Sequence, residues 1–561
     1  MTLRIPEKLK PFARVEVVLL LILILAIVLR FIFLDLKLYH HDEATHAWIS
    51  YNLMNSGFFT YDPAYHGPFL YYVTSAMFKM FDVSDLVGRI LPCVFGCALI
   101  PLLYWIYRMR FISGKVVCIA SLFIAISPCM LYFSRFLRND VFVIFFSLLM
   151  IAAMLAWMTR KKWYWLALAG LAAALGLSCK ENMPIIIGTF VIFFLYLLWT
   201  KKFTLPKNWW LHLILALIVF FAVVFTFYTS FWQHPEMMWK AGKLAIEHWF
   251  DVQANQRIPG PPYYYFGILV LYELPIALLA IWGIIRYFLV PKSERSEDTK
   301  FLSYIRRPAE PRTINREREF MLFAIFWMIV SMIAYAVIGE KVPWLILHQL
   351  LPMILVAAYG LSMLSKKWMA FFGILTVAFL IWATGITVYN ANDICGPIVQ
   401  VQNSEQLRPL MAVIDNATSV AIYSSEALWP LSWYYAQDWY KINYNPDSVP
   451  SMGGSDTQVY YLHKFIYNPD PVPRDAAQYS NIDVILMHDL KSYDSLDGYT
   501  KIYLPEHYWM DATATGYGDG RTPQILNWIK YFFTRSGSIG SLNIAVFLKN
   551  STMHQYIDWL Q

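Results

Sequence analysis

Ionisable side chains gather in a few short stretches of an otherwise apolar chain. The densest reads YHHDEATHAWISYNL and then YDPAYHGPFLYY, carrying His40, His41, Asp42, Glu43, His46 and His66. Three others are SRFLRND, with Arg135, Arg138 and Asp140; SCKENMP, with Lys180 and Glu181; and GEKVPWLILHQLLP, with Glu340 and Lys341. Carboxylates and imidazoles are the side chains that move protons. Arginine and lysine offer fixed positive charge to an anion. Histidines beside acids also suit a divalent metal, and His41, His46 and His234 of WQHPEMMWK are the candidates, although their spacing matches no metal-ligand motif.

Each stretch also has an ordinary explanation. Asp42 would cap a short amphipathic helix from Glu43 to about Met54, and Asp140 would cap the helix that follows it. Arg135 and Arg138 would snorkel toward the interface. Lys180 and Glu181 would form an interfacial ion pair, and Pro343-Trp344 a turn with an aromatic-belt tryptophan. Together these accounts ask four distant loops to carry acids and bases for no shared purpose. Ionisable groups near hydrocarbon are costly, about 2.5–3.5 kcal/mol each at the bilayer centre, and so they mark sites.

The elements that would position these residues are membrane helices. The chain has 561 residues, 58% hydrophobic and 15% charged, with a mean hydropathy of +0.45, a composition unlike that of a soluble enzyme. The net charge of +7 lies in short clusters between apolar runs, not on one face, which excludes a nucleic-acid reading. Apolar runs of spanning length centre near residues 25, 97, 124, 149, 170, 191, 220, 277, 329, 353 and 378, about eleven helices. The first run, from about Val17 to Phe33, lacks a small-residue cleavage site and reads as an uncleaved helix. Every second connection is basic: the amino-terminal tail, then Arg108 to Lys115, Arg160 to Lys162, Lys201 to Lys207, Lys292 to Arg318, and Lys366 with Lys367. The positive-inside rule makes these cytoplasmic and puts the four ionisable stretches, with the first loop at 35–87, on the outer face.

The character changes near Asn390. Residues 391–561 carry strand-like runs at Val420 to Tyr423, Val484 to Met487 and Ile544 to Leu548, and helix-like stretches near 428–439 and 522–535, which together read as a small extracytoplasmic α/β domain. Sequons at Asn416 and Asn550 agree with an outer location. Five of the six cysteines, Cys395 being the exception, lie in or beside apolar segments, so neither a disulfide framework nor a cysteine-held metal is expected.

In order and sidedness, the Asp-Glu pair in the first outer loop, the arginine-rich loop ending in Asp140 and the Lys-Glu pair before the sixth helix resemble the GT-C glycosyltransferases. This superfamily includes protein mannosyltransferases and aminoarabinose transferases. HDEATHA, YHGPFLYY, KEN and GEKVPWL look most like its archaeal flippase-activity-associated branch of surface glycosylation. The likeness covers about residues 15–390 and implies a GT-C membrane domain over 1–390. It also implies an inverting transfer of a mannose-like hexose from a polyprenyl or dolichyl phosphate to a glycan, lipid or protein acceptor. Asp42 would then be the catalytic base, with Glu43 beside it. Arg135, Arg138, Lys180 and Lys341 would hold the donor phosphate, and Asp140, Glu181, His66 and Glu340 would contact substrate. Some relatives hold a divalent metal near that phosphate; no other cofactor is expected.

Rival readings remain at this point. A lipid-sugar flippase would place its polar site near the midplane between repeats, whereas these charges share one face and no repeat is visible. A block-transferring oligosaccharyltransferase would carry Trp-Trp-Asp-Tyr-Gly, which is missing. A non-catalytic subunit is the third.

Overall fold

The computed structural model describes residues 10–255, 258, 260–289, 315–390, 396–423, 429–435, 465–467, 479, 481–488, 495–510, 531–533 and 539–560. The basic loop expected from Lys292 lies largely outside these residues, as do Cys395, most of the helix-like stretch at 522–535 and much of that at 428–439. The chain divides into two compact units: Met1–Leu34 with Gly57–Tyr389, and Asp35–Ser56 with Asn390–Gln561. The segment bearing Asp42 and Glu43 therefore folds with the carboxy-terminal residues.

The first unit is helical, and the protein is a multi-pass membrane protein. Six helices are long and apolar enough to cross a bilayer: Asp85–Arg108, Asp140–Arg160, Trp209–Tyr228, Arg316–Val337, Pro343–Ser362 and Lys366–Thr387. Two further pairs pass only when joined across a bend. Gly114–Ile126 meets Pro128–Ser134 at 60°, and Tyr264–Tyr272 meets Leu274–Phe288 at 108°. That gives six to eight candidate spans among the described residues, and the expected eleven is not confirmed. The shortfall has a physical origin. Trp163–Cys179 and Met183–Trp199 are apolar but only 17 residues each, about 25 Å of helix against the roughly 30 Å of a hydrocarbon core. Lys10–Phe31 carries Lys10, Arg14, Glu16 and Arg30.

Both bends fall at proline. Ser127 caps the helix that Pro128 opens, its side chain accepting from the Met130 amide, and Pro275 lies in the first turn of Leu274–Phe288. Proline lacks an amide hydrogen and fits a first turn, not a helix interior. The two breaks are joined: Glu273, fully buried, accepts from Ser127 Oγ at 2.6 Å and from the Cys129 amide at 2.9 Å.

The second unit contains a mixed sheet. Its strands are β1 (Val401–Asn403), β2 (Val420–Tyr423), β3 (Phe465–Tyr467), β4 (Val484–His488), β5 (Tyr499–Met510) and β6 (Ile539–Lys549), in the order β1-β5-β6-β4-β2-β3. β2 runs parallel to β3 and β4, and the other pairings are antiparallel. Alternation sets its two faces. Val484, Leu486, Ile544, Val546 and Leu548 pack on Leu407, Leu410, Val413 and Ile414 of the helix Leu407–Asn416. Ile485, Met487, Ala545 and Phe547 face the other way, onto Tyr479 and Ile482. Leu38 of the early segment is buried in the first of these cores.

Candidate functional site

Leu38 and its neighbours are tied to the sheet unit through the backbone. The Leu38 amide donates to Glu405 Oε1 at 2.8 Å, the Tyr39 amide to Tyr434 Oη at 2.9 Å, and Asn403 Nδ2 donates to the Tyr39 carbonyl at 2.6 Å. The helix that follows runs His41–Ser56. It is longer than the sequence pattern suggested, and Asp42 is not its cap but its second residue. His40 caps it. The Asp42 amide donates to His40 Nδ1 at 3.1 Å, and Glu43 Oε2 reaches back to accept the His40 amide at 3.0 Å. This is a reciprocal capping box with an imidazole in the place usually taken by serine or threonine.

Because Nδ1 accepts, the proton of the His40 ring sits on Nε2, which faces the Val399 carbonyl at 2.8 Å. Burial pushes the ring down to about 4, against the opposing pull of Asp42. Glu43 is 1% exposed and Asp42 is half-buried. The two carboxylates thus differ: Glu43 holds the helix start, and Asp42 is carried on it.

In the membrane unit a second arrangement centres on Asp140, 1% exposed at the start of Asp140–Arg160. Lys180 Nζ lies 3.0 and 3.1 Å from its two oxygens. His348 Nε2 is 3.1 Å from Oδ1, and Arg138 Nε is 3.6 Å from Oδ2. The Arg138 guanidinium stacks 3.5 Å over the ring of Trp344. Trp344 is 4% exposed, so it is a cation–π partner and not the belt residue its turn suggested. The Asn182 amide lies 3.0 Å from both His348 Nε2 and Tyr335 Oη. Burial lowers the pKa of the Lys180 ammonium, with Asp140 opposing.

Beside Lys180, Glu181 turns to the segment Tyr61–Gly67. Tyr61 Oη donates to Oε1 at 2.6 Å, and His66 Nδ1 lies 3.1 Å from Oε2. Burial pushes the Glu181 carboxyl up, but the bonds from His66 and Tyr61 outweigh it and hold the group below its usual value. The same segment fits only because Gly67 has no side chain. Its amide donates to the Cys179 carbonyl at 3.1 Å, and a Cβ there would stand 2.1 Å from the Ser178 carbonyl oxygen.

The other expected residues are placed differently. Arg135 donates to the carbonyls of Leu29, Arg30, Ile32 and Phe33 at 2.6 to 3.0 Å, capping the end of Lys10–Phe31. Lys341 Nζ does the same for Tyr335, Ala336 and Ile338, at 2.5 to 3.0 Å. Cations suit helix carboxyl ends, whose last carbonyls have no intrahelical partner. Glu340 is half-buried, its backbone bridged to Ile258.

His234 pairs with Glu236 at 3.2 Å, while His41 packs edge-on to Trp429 and His507. Among the described residues no group of three or more His, Cys, Asp or Glu is placed to hold a metal ion. His41 and His46 belong to the segment that folds with the sheet unit, and His234 to the membrane unit.

His348, Asn182, Tyr335 and Tyr61 are not among the residues that the sequence marks as site candidates. His348 carried a signal, being a lone imidazole inside an apolar run. Asn182 stood in the quoted KEN.

Residues 65–226 match the family described as dolichyl-phosphate-mannose-protein mannosyltransferase. No curated protein matches the sequence. Among solved structures, the archaeal oligosaccharyltransferase AglB from Archaeoglobus fulgidus, in complex with an inhibitory peptide and a dolichol-phosphate, aligns at 15% identity. That alignment covers 86% of this chain and 70% of that one, with a TM-score of 0.50. ArnT from Cupriavidus metallidurans, bound to undecaprenyl phosphate, aligns at 16% identity over 66% of this chain and 69% of its own, with a TM-score of 0.47. The architecture is GT-C-like, a helical membrane unit with a carboxy-terminal sheet domain. With the family match, this makes the chain a membrane glycosyltransferase that takes its sugar from a lipid phosphate.

Proposed function

We propose that the protein transfers a mannose-like hexose, with inversion, from a polyprenyl or dolichyl phosphate to an acceptor at the outer membrane face, in glycan or glycoprotein biosynthesis. The observation that carries this reading is the buried Arg138–Asp140–Lys180 arrangement at the mouth of a span. A departing lipid phosphate gains charge as the sugar leaves, and pre-oriented cations out of water stabilise that charge strongly. Arg138 and Lys180 take this role, and Asp140 orients them. Asp42 takes the proton of the attacking hydroxyl, held at its place by the His40–Glu43 cap. His66, Glu181 and Glu340 contact substrate. Arg135 and Lys341, engaged with helix carbonyls, support the fold around the site.

The helices Lys10–Phe31, Trp163–Cys179 and Met183–Trp199 cross the membrane as well. With the eight candidate spans they make eleven crossings, an amino terminus in the cytoplasm and a carboxy-terminal domain outside.

The test uses purified protein in liposomes with a labelled polyprenyl-phosphate hexose. Free lipid phosphate should appear only when acceptor is present, and Asp42→Asn or Lys180→Met should reduce its release at least a hundredfold. Sugar crossing the bilayer without transfer would instead support translocation. One observation favours that second reading: the joined helix breaks at Ser127 and Glu273, since discontinuous helices line transporter sites.

A further inference from the structure

The helices that carry the Asp140 arrangement also enclose a cavity at their other ends. Asp140 opens Asp140–Arg160, Lys180 and Asn182 come just before Met183–Trp199, and Tyr335 lies in the last turn of Arg316–Val337. A cavity of about 410 Å³ is lined by Thr159 near the close of the first helix, Leu197 near the close of the second and Arg316 at the opening of the third. The 21 residues of Asp140–Arg160 put it roughly 30 Å from Asp140, a membrane thickness away from the proposed donor site.

We propose that this cavity binds an anionic phospholipid of the bilayer, with an acyl chain inside and the phosphate on Arg316. The inference stands apart from the transferase reading and adds a second, non-substrate lipid site.

The walls supply the apolar half of the match. Seven lining residues are phenylalanines, and Leu155, Met158 and Leu197 are apolar as well, the kind of lining that takes up hydrocarbon around a few placed polar groups. Met183–Trp199 turns Phe190, Phe193, Phe194 and Leu197 to the cavity and exposes Ile192, Leu195 and Trp199 elsewhere on its surface. Lipid is therefore one helix away.

The charges supply the other half. Helical spacing divides the first turns of Arg316–Val337: Arg316, Glu319, Phe320 and Phe323 line this cavity, whereas Glu317, Arg318 and Met321 line a different one of about 220 Å³. Glu319 is matched by the buried ammonium of Lys202, 2.5 Å away. Among the lining residues, that leaves Arg316 as the charge on the wall. Its guanidinium lies 5.7 Å from the Phe111 ring centroid and gives one N–H to the Met109 carbonyl at 3.2 Å. A guanidinium has five N–H groups in a fork that fits phosphate oxygens. Arg160, Lys161 and Lys201 stand beside the lining residues Thr159 and Lys202 in the chain, and basic pockets between spans at a membrane surface attract anionic headgroups. A free phosphate would leave the phenylalanine-lined space unfilled, and an uncharged chain would leave Arg316 unmatched. An anionic lipid answers both.

The experiment reconstitutes the full-length protein in liposomes with a trace of phosphatidylglycerol or phosphatidylcholine, each carrying a photoactivatable group near the end of one acyl chain. Labelled peptides are then mapped by mass spectrometry. The phosphatidylglycerol probe should label residues within 190–203 and 316–323 on the cavity side, and the phosphatidylcholine probe should do so at least tenfold less. Both should label the exposed side at Ile192 and Leu195 equally. Arg316→Gln should reduce cavity labelling by phosphatidylglycerol about tenfold, the loss of one charge-assisted contact, and Arg316→Lys should retain most of it. Leu197→Trp, which fills the cavity and keeps the charge, should abolish it. Arg316 is exposed, so if the tryptophan variant does not fold, the two arginine variants decide the matter.

The proposal is overturned if both probes label the cavity alike, if neither does, or if Arg316→Gln changes nothing. Displacement of the probe by inorganic phosphate would reduce the site to an anion site without a chain, and displacement by polyprenyl phosphate at lower concentration than by phosphatidylglycerol would give the cavity to the carrier lipid. Either result overturns it too. Because no readout involves sugar transfer, failure here leaves the transferase reading untouched.

Discussion

Asp140 and Lys180 are each almost completely buried and each in contact with the other, so neither can lose its partner cheaply. A buried ion stripped of its counter-charge costs about 3–5 kcal/mol. Lys180→Met should therefore lower the unfolding midpoint in detergent, and Lys180→Met with Asp140→Leu should recover part of the loss. Arg135→Leu should lower the midpoint too, because it uncaps Lys10–Phe31, whereas Arg138→Leu should act chiefly on turnover. Sequence made the three cations look alike. The chemistry of a cation is legible from its type, but whether carbonyls or carboxylates surround it depends on how distant segments pack.

His40 gives a second test at this scale. Its ring is pushed from 6.5 to about 4 by burial. Between those values the unfolded chain has taken up a proton that the folded chain has not. The unfolded state then binds more protons, so stability falls as pH is lowered through that window. The difference corresponds to about 3 kcal/mol. His40→Gln, which retains an amide hydrogen for Val399, should flatten the decline in melting temperature between pH 6.5 and 4.

Among the elements, the Tyr61–Gly67 segment is keyed to the end of Trp163–Cys179 by a close backbone approach at Gly67, beside the bonds of Tyr61 and His66 to Glu181. With a Cβ at Gly67 only 2.1 Å from the Ser178 oxygen, Gly67→Ala cannot be absorbed by a side-chain adjustment. It should cost roughly 1–3 kcal/mol and shift Tyr61 and His66 off Glu181, which would raise KM for the donor. The glycine was visible in YHGP, but the backbone it meets was not.

Helix boundaries show the same limit. Apolar runs centred near 124 and 277 look continuous when only hydropathy is read, and Pro128 and Pro275 are the marks of their breaks. The eleven crossings can be tested by single-cysteine labelling from the two sides of sealed vesicles. Cysteines at 161 and 201 should react from the cytoplasmic side, and one at 62 from the outer side. Same-side labelling of 62 and 161 would remove one of the three crossings between them from the count, and labelling of 161 and 201 from opposite sides would remove Trp163–Cys179 or Met183–Trp199.

For the molecule as a whole, the instructive difference between sequence and structure is where the acidic pair belongs. A change of composition near Asn390 signals a second unit, and the runs at 420–423, 484–487 and 544–548 lie within β2, β4 and β6. Nothing in that signal says that residues 35–56 join them, because the joining bonds link residues more than 350 positions apart. Leu38 reads as one more apolar residue after a membrane helix, yet it is buried in the sheet unit's core.

The sheet unit is therefore a support for the proposed base, and this can be separated from donor binding. Glu405→Gln with Asn403→Ala weakens the hold on Leu38 and Tyr39 and leaves Arg138, Lys180 and the rest of the membrane unit intact. With each charged or short bond worth about 1–2 kcal/mol, the segment should loosen without the unit unfolding. The expected result is a kcat lowered about tenfold or more, with the affinity for sugar-free polyprenyl phosphate unchanged. An equal loss in both would mean that the sheet unit serves the donor site, and an unchanged kcat would mean that the acidic segment needs no such support.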